Sequence, residues 1–222
     1  MARLPGVTEL LRPTILFDFD GTLANTVPLI LASYRHTIDT VGLPPADEAT
    51  IRSWIGRTLP DMFTELAGPD RVAELTEIYS TWQHDNAEQH LLPYAGMRQL
   101  VTDLIEAGAK VGIATSRRRG SAQRLKELLG LDEWLPLLVG LEDSTEHKPA
   151  AEPLLLAAER LGSEPGDCVY VGDALVDLRA AQAAGMVGIG VTWGAGVPDE
   201  LRAESAHAVV DEVADLRRVL LG

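Results

Sequence analysis

Ile15-Leu16-Phe17-Asp18-Phe19-Asp20-Gly21-Thr22-Leu23-Ala24-Asn25-Thr26 is the stretch on which the reading of this chain turns, because an apolar run breaks there into two carboxylates and a glycine. Thr14 to Phe17 is apolar and partly β-branched, which suits a buried parallel strand, and Asp18 and Asp20 then fall at its C-terminal end. In open α/β sheets ligands bind at that end. Residues two apart on an extended chain point the same way, so both carboxylates face one small volume. Two close negative charges raise one another's pKa, which asks for a cation between them or a shared proton. The plainer alternative is a turn and helix cap after a strand.

Downstream, helical periodicity without a strand runs from Thr26 to His90. Helices are expected from Pro28 to Gly42, Ala46 to Trp54, Leu59 to Leu66 and Asp70 to Asn86, broken at Gly56 and Gly68-Pro69. A helical block inserted directly after a strand reads as a separate unit, so 26–93 is expected as one domain and 1–25 with 94–222 as the other. Met1 to Pro13 is expected as a short lead-in, loosely ordered at its start. From Pro93 on, strands and helices alternate: strands at Lys110–Thr115, Pro136–Val139, Val169–Val171, Val187–Val191 and Ala208–Val210, with helices between and after them. That alternation implies crossover units and a parallel sheet covered on both faces, an α/β fold.

The chain has 222 residues, 46% hydrophobic and 23% charged, enough for one good core and a smaller appendage. Its formal net charge of -14 argues against nucleic acid, whose phosphates demand a basic footprint. A small anion remains accessible where positive charge is concentrated locally, because surface repulsion is screened beyond about 10 Å. There is no apolar run long enough to span a membrane and no secretory pattern at the N-terminus, so a cytoplasmic protein without membrane contact is expected. Cys168, the single cysteine, reads as a small buried hydrophobe.

Three further sites fall at expected strand ends. Gly112-Ile113-Ala114-Thr115-Ser116 ends in two hydroxyls, natural donors to phosphate oxygens together with the N–H groups of a strand-to-helix turn. Taken alone, those hydroxyls with Arg117-Arg118-Arg119 read as a helix cap and a solvated basic turn. His147-Lys148-Pro149 carries one of only three lysines, a compact charge for a carboxylate or phosphate. Val169-Tyr170-Val171-Gly172-Asp173 again ends in an acid, and Asp177 follows one helical turn later. Asp18 and Asp173, with a backbone carbonyl and waters, would make a hard-oxygen site of the kind magnesium accepts. Asp177 could hold a coordinated water or Lys148.

With these four motifs in this order, the chain resembles the haloacid dehalogenase superfamily over essentially its whole length. The resemblance implies a Rossmann-like parallel-sheet core with an inserted helical cap of the C1 type, and an Mg2+-dependent hydrolase working through an aspartyl-phosphate. It implies Asp18 as nucleophile, Asp20 as acid and base, Thr115 and Lys148 on the transferring phosphoryl group, and Mg2+ on Asp18, the carbonyl of Asp20 and Asp173. Gly21, Thr22, Ser116 and, from the cap, Arg57 join as substrate contacts. Asp20 is the aspartate that dehalogenases of this superfamily lack, and no lysine between Ala24 and Gly96 is present to form the Schiff base of phosphonate cleavage. Asn25-Thr26-Val27-Pro28-Leu29-Ile30, Trp54-Ile55-Gly56-Arg57-Thr58-Leu59 and Gly190-Val191-Thr192-Trp193-Gly194 are similar to phosphoglycolate phosphatases and related bacterial pyrophosphatases. The expected substrate is a small phosphorylated metabolite, phosphoglycolate first. Inorganic pyrophosphate, broad sugar-phosphate and nucleotide hydrolysis, or an idle binding protein of the same fold are the alternatives, and the protein is expected as a monomer or homodimer.

Overall fold

A computed structural model describes residues 10–131 and 135–222. In chain order the elements are β1 (Thr14–Phe17), β2 (Ala24–Asn25), α1 (Val27–Val41), α2 (Glu48–Trp54), α3 (Leu59–Ala67), α4 (Val72–His90) and β3 (Leu92–Pro93). They continue with α5 (Met97–Glu106), β4 (Lys110–Ala114), α6 (Arg119–Leu128), β5 (Leu137–Val139), α7 (Glu152–Arg160) and β6 (Cys168–Gly172). The last are α8 (Leu175–Ala183), β7 (Val187–Val191), α9 (Pro198–Ala203), β8 (Ala208–Val210) and α10 (Val213–Leu221). The part of the expected lead-in that covers residues 1–9 lies outside the described residues.

Six strands form one parallel sheet in the order β5-β4-β1-β6-β7-β8. β1 is central, Ile15 pairing with Val111 of β4 on one side and Val169 of β6 on the other. Alternation along the strand divides the core. Ile15 and Phe17 face a cluster with Leu100, Leu104 and Leu216, from α5 and α10, whereas Leu16 faces Leu154, Ala157 and Ala181, from α7 and α8. From β1 the sheet is built outward in both directions, so the connections leaving β1 and β6 diverge and open a crevice at their C-terminal ends. Asp18 follows β1 at that point.

The helical block packs on itself. Tyr34, fully buried, sets its ring 5.5 Å from Trp54, 5.5 Å from Phe63 and 5.0 Å from Tyr79, tilted and edge-on contacts that favour a fixed aromatic cluster. Helix ends follow local chemistry. Gly42 takes a left-handed conformation, φ +67°, and closes α1. The Asp47 carboxylate accepts the Thr50 N–H at 2.7 Å, so α2 begins at Glu48 rather than at Ala46. A 3-10 turn over Pro69–Arg71 delays α4 to Val72, and the helix then runs past Asn86 to His90.

One feature has no counterpart in the sequence pattern. β2 and β3 pair antiparallel, Ala24 with Pro93 and Asn25 with Leu92, so both chain crossings between sheet and helices lie side by side. Two-residue strands are too short for an alternation to register. Among the described residues no helix is long and apolar enough to cross a membrane.

Candidate active site

Asp18, 1% exposed, stands immediately beyond β1, its N–H donating to the Val171 carbonyl of β6 at 2.8 Å. Its Oδ1 accepts from Lys148 Nζ at 2.9 Å. Lys148 also donates to Asp177 Oδ1 at 2.6 Å and to the Tyr170 hydroxyl at 3.1 Å. An ammonium has three protons, and all three have acceptors here. Asp177 uses its second oxygen to accept the Ala174 N–H at 3.0 Å and so caps α8. Tyr170 in turn donates to the Ala114 carbonyl at 2.9 Å, tying β6 to the end of β4. Among the described residues no donor reaches Asp18 Oδ2.

Asp173 is held by the Thr22 hydroxyl at 3.1 Å and the Ala195 N–H at 2.7 Å. Two glycines pack closely against it. A Cβ at Gly21, whose φ is +75°, would lie 2.3 Å from Asp173 Oδ2, and one at Gly194 would lie 2.1 Å from the same atom. Carboxylate oxygens of Asp18, Asp173 and Asp177 lie within 4.8 Å of one another. Burial, with Asp177 and Asp20 adding to it, pushes Asp18 up to about 7 against the pull of Lys148. Burial likewise raises Asp173 well above the usual carboxylate range, reinforced by Asp177 and Asp18. Burial alone would lower Lys148, but Asp177 and Asp18 outweigh it and keep the ammonium charged.

These shifts fix a pH dependence. A carboxyl whose folded pKa is raised penalises the fold above that pKa, and the penalty disappears once both folded and unfolded states are protonated. In EDTA, Asp18 should cost stability on the order of 2–4 kcal/mol, growing as pH rises from its ordinary 3.8 to about 7. Urea midpoints measured across that window should separate the wild type from Asp18→Asn, which lacks the titration. Parallel curves for the two would refute the assignment.

The Asp20 carboxylate is gripped by an arginine. Arg117 Nε donates to its Oδ2 at 2.9 Å and Nη2 to its Oδ1 at 2.6 Å, a two-pronged grip. Arg117 Nη1 donates to Ser121 Oγ at 2.8 Å and to Gln83 Oε1 of α4. The expectation of a solvated basic turn therefore fails at Arg117. The Arg117 side chain is 8% exposed, and Arg119 is spent on Asp143 at 2.5 Å and the Leu138 carbonyl at 2.8 Å, leaving Arg118 exposed. Carboxylates hold the guanidinium groups of Arg117 and Arg119.

The remaining expected residues also lie around this point. Thr115 is buried, and its hydroxyl accepts the Arg117 N–H at 3.2 Å, while Ser116 donates to the Gly56 carbonyl of the helical block at 2.9 Å. Asp18, Asp20, Thr115, Ser116, Arg57 and Arg117 line one cleft of about 640 Å³, open solvent at its mouth included. Arg57 there pairs with Glu65 at 2.9 Å. Trp193 packs against the core, its indole N–H donating to the Thr22 carbonyl at 3.2 Å. Tyr170, Gln83 and Arg117 are the members that motif reasoning did not pick out. Gln83 left a trace: it continues the buried stripe of Leu75 and Tyr79 on α4 at a spacing of four, a polar residue where an apolar one would be expected.

Comparison with known proteins places the chain in a family. Residues 15–191 match the family described as haloacid dehalogenase-like hydrolase. The pyrophosphatase PpaX of Bacillus pumilus (strain SAFR-032) is 32% identical over 207 residues, which cover 93% of this chain and 95% of the relative. A solved hydrolase from Pseudomonas syringae superposes with a TM-score of 0.84 at 26% identity, covering 93% of this chain and 97% of the other. The haloacid dehalogenase-like family protein SP0104 from Streptococcus pneumoniae, at 22% identity, shares the fold with a TM-score of 0.82 over 92% of this chain and 96% of that one. By its matched span, its parallel sheet and the carboxylates at the end of its central strand, the chain belongs to the haloacid dehalogenase-like hydrolase family.

Proposed function

We propose that the protein is a magnesium-dependent phosphatase of small phosphorylated metabolites, working through an aspartyl-phosphate on Asp18, with phosphoglycolate the first substrate to test. The observation that carries this reading is the asymmetry of Asp18: Lys148 occupies Oδ1, and Oδ2 is left for attack on phosphorus. Asp20, two residues on, gives its proton to the departing oxygen and then takes one from the water that cleaves the acyl phosphate. The Thr115 hydroxyl, whose proton is free, and the Thr22 N–H receive the phosphoryl oxygens, Ser116 and Gly21 spending their own donors on the Gly56 and Ala24 carbonyls, and Lys148 holds the nucleophile while adding positive charge. On this reading 26–93 is a cap domain, supplying the wall opposite Asp18 and bringing Arg57 to the substrate.

Magnesium fits the residues present. Asp173 sits in a pocket that glycines keep clear, and burial raises both Asp18 and Asp173, a cost that a divalent cation between them would relieve. Asp18, Asp173 and the Asp20 carbonyl would hold it, while Asp177 holds the Lys148 ammonium and the start of α8. When bound, the ion offsets the repulsion between an anionic nucleophile and an anionic phosphate.

A pyrophosphatase is the second reading, favoured by the name of the Bacillus pumilus relative and its coverage of both chains. Phosphoglycolate, pyrophosphate and p-nitrophenyl phosphate, each assayed with magnesium and with EDTA, separate the possibilities. Magnesium-dependent release of phosphate from phosphoglycolate is expected. Cleavage of pyrophosphate alone would move the assignment to the second reading, and no turnover of any of the three would end the enzyme reading. Magnesium at ~100 times its dissociation constant should also stabilise the fold by about 2.7 kcal/mol, raising the melting temperature by roughly 5–10 °C, and Asp173→Asn should abolish that shift.

A further inference from the structure

Arg117 is held in place by residues other than Asp20. Its Nη1 is anchored by Ser121 of α6 at 2.8 Å and by Gln83 of α4, while the Nε and Nη2 edge alone grips Asp20. With the Nε and Nη2 edge on both of its oxygens, Asp20 is held as an anion and only its outer lone pairs are open, so acid–base work at a departing oxygen is favoured when it turns away. The guanidinium then remains where Ser121 and Gln83 hold it, with two parallel N–H groups facing the space that Asp20 served. A buried arginine with a vacated fork is unfavourable unless another planar anion takes the place, and a carboxylate or phosphate matches that fork. The fork lies 2.6–2.9 Å from the Asp20 oxygens, so the anion must sit close to the oxygen that Asp20 protonates. Ile30, Tyr34, Ile55, Leu59 and Met62 give the cleft an apolar side, which strengthens a charge pair, while Ser80, Gln83 and Ser121 line it too.

Resting on the phosphatase reading, we infer that Arg117 is the specificity-determining residue of the site, and that it selects phosphate esters or anhydrides whose departing group is itself anionic and small. Arg117 exchanges one carboxylate for another, giving up Asp20 as it takes the departing anion. Productive turning of Asp20 is thereby coupled to the arrival of a substrate of the right charge. Phosphoglycolate and pyrophosphate belong to this class; p-nitrophenyl phosphate and hexose phosphates do not.

The test compares kcat/KM for phosphoglycolate and pyrophosphate with that for p-nitrophenyl phosphate and the methyl ester of phosphoglycolate, which keeps the shape and removes the charge. In the wild type the better anionic substrate is expected to exceed the methyl ester by about 100-fold, the size of a bidentate charge-assisted pair. Arg117→Met should collapse that ratio to below about 5-fold, and Arg117→Lys, a point charge without the fork, should restore part of it. A wild-type ratio near one would overturn the inference whether or not the variants fold. Equal losses on charged and neutral substrates in Arg117→Met would overturn it too, since a merely structural role lowers both alike. No turnover of any of the four compounds by the wild type would instead remove the phosphatase reading and the inference with it.

Discussion

Asp18→Asn is expected to lower kcat by at least about 10⁴-fold while leaving the protein folded, because it removes the nucleophile and almost nothing else. Asparagine keeps the volume of the side chain, and its carbonyl oxygen can still accept from Lys148 at the 2.9 Å position now filled by Oδ1. Only the charge and the attacking oxygen disappear. Acid-quenched wild type given substrate should carry a phosphoryl group on the peptide containing Asp18, detected by mass spectrometry, and the variant should carry none. Turnover undiminished in the variant, or label found on another residue, would refute the nucleophile assignment.

Lys148→Met should be the most damaging single change to the fold of the site. Lys148 and its partners Asp18 and Asp177 are at most 2% exposed in their side chains, so deletion of the ammonium strands two carboxylates where water cannot reach them. Breaking a buried pair in this way costs about 3–5 kcal/mol, well beyond what an exposed ion pair contributes. Phosphatase activity should fall along with stability, since Asp18 loses the donor that orients it. The stability deficit has a definite sign with pH. It should be full above the range in which Asp18 titrates and should shrink as the pH falls and Asp18 takes up a proton. Denaturant midpoints of variant and wild type across that range provide the check, and a deficit independent of pH would show that lost packing of the lysine stem, not charge, is responsible.

Much of this was legible in the sequence because it depends on local pattern. β1 and β6 are apolar runs ending in acids, and an acid that ends a parallel strand has one direction in which to point. Asp18 and Asp173 are therefore assigned to one crevice before any contact is known, and Lys148 stands out because lysine is scarce in this chain. What the sequence concealed depends on pairing across long separations. Tyr170 alternates with Val169 and Val171 and looks like core, yet its hydroxyl must find polar partners once buried, and it finds Lys148 and Ala114. Arg117 is 97 positions from Asp20 in the chain, and nothing local distinguishes it from exposed Arg118. β2 and β3 are held by tertiary placement of their ends rather than by strand propensity, and Pro93 brings no N–H to the pairing.

The pairing of β2 with β3 also bears on how such a molecule can change over generations. Because the chain leaves the sheet and returns to it at one point, the whole of α1 to α4 is topologically a single long loop, and the order of the six parallel strands does not depend on it. Asp18, Thr115, Lys148 and Asp173 all belong to the part that would survive its exchange, whereas Tyr34, Met62 and Gln83 belong to the part that would be replaced. Selection can therefore rewrite the helical side of the cleft, helix by helix, without touching the strand ends that present Asp18, Thr115 and Asp173.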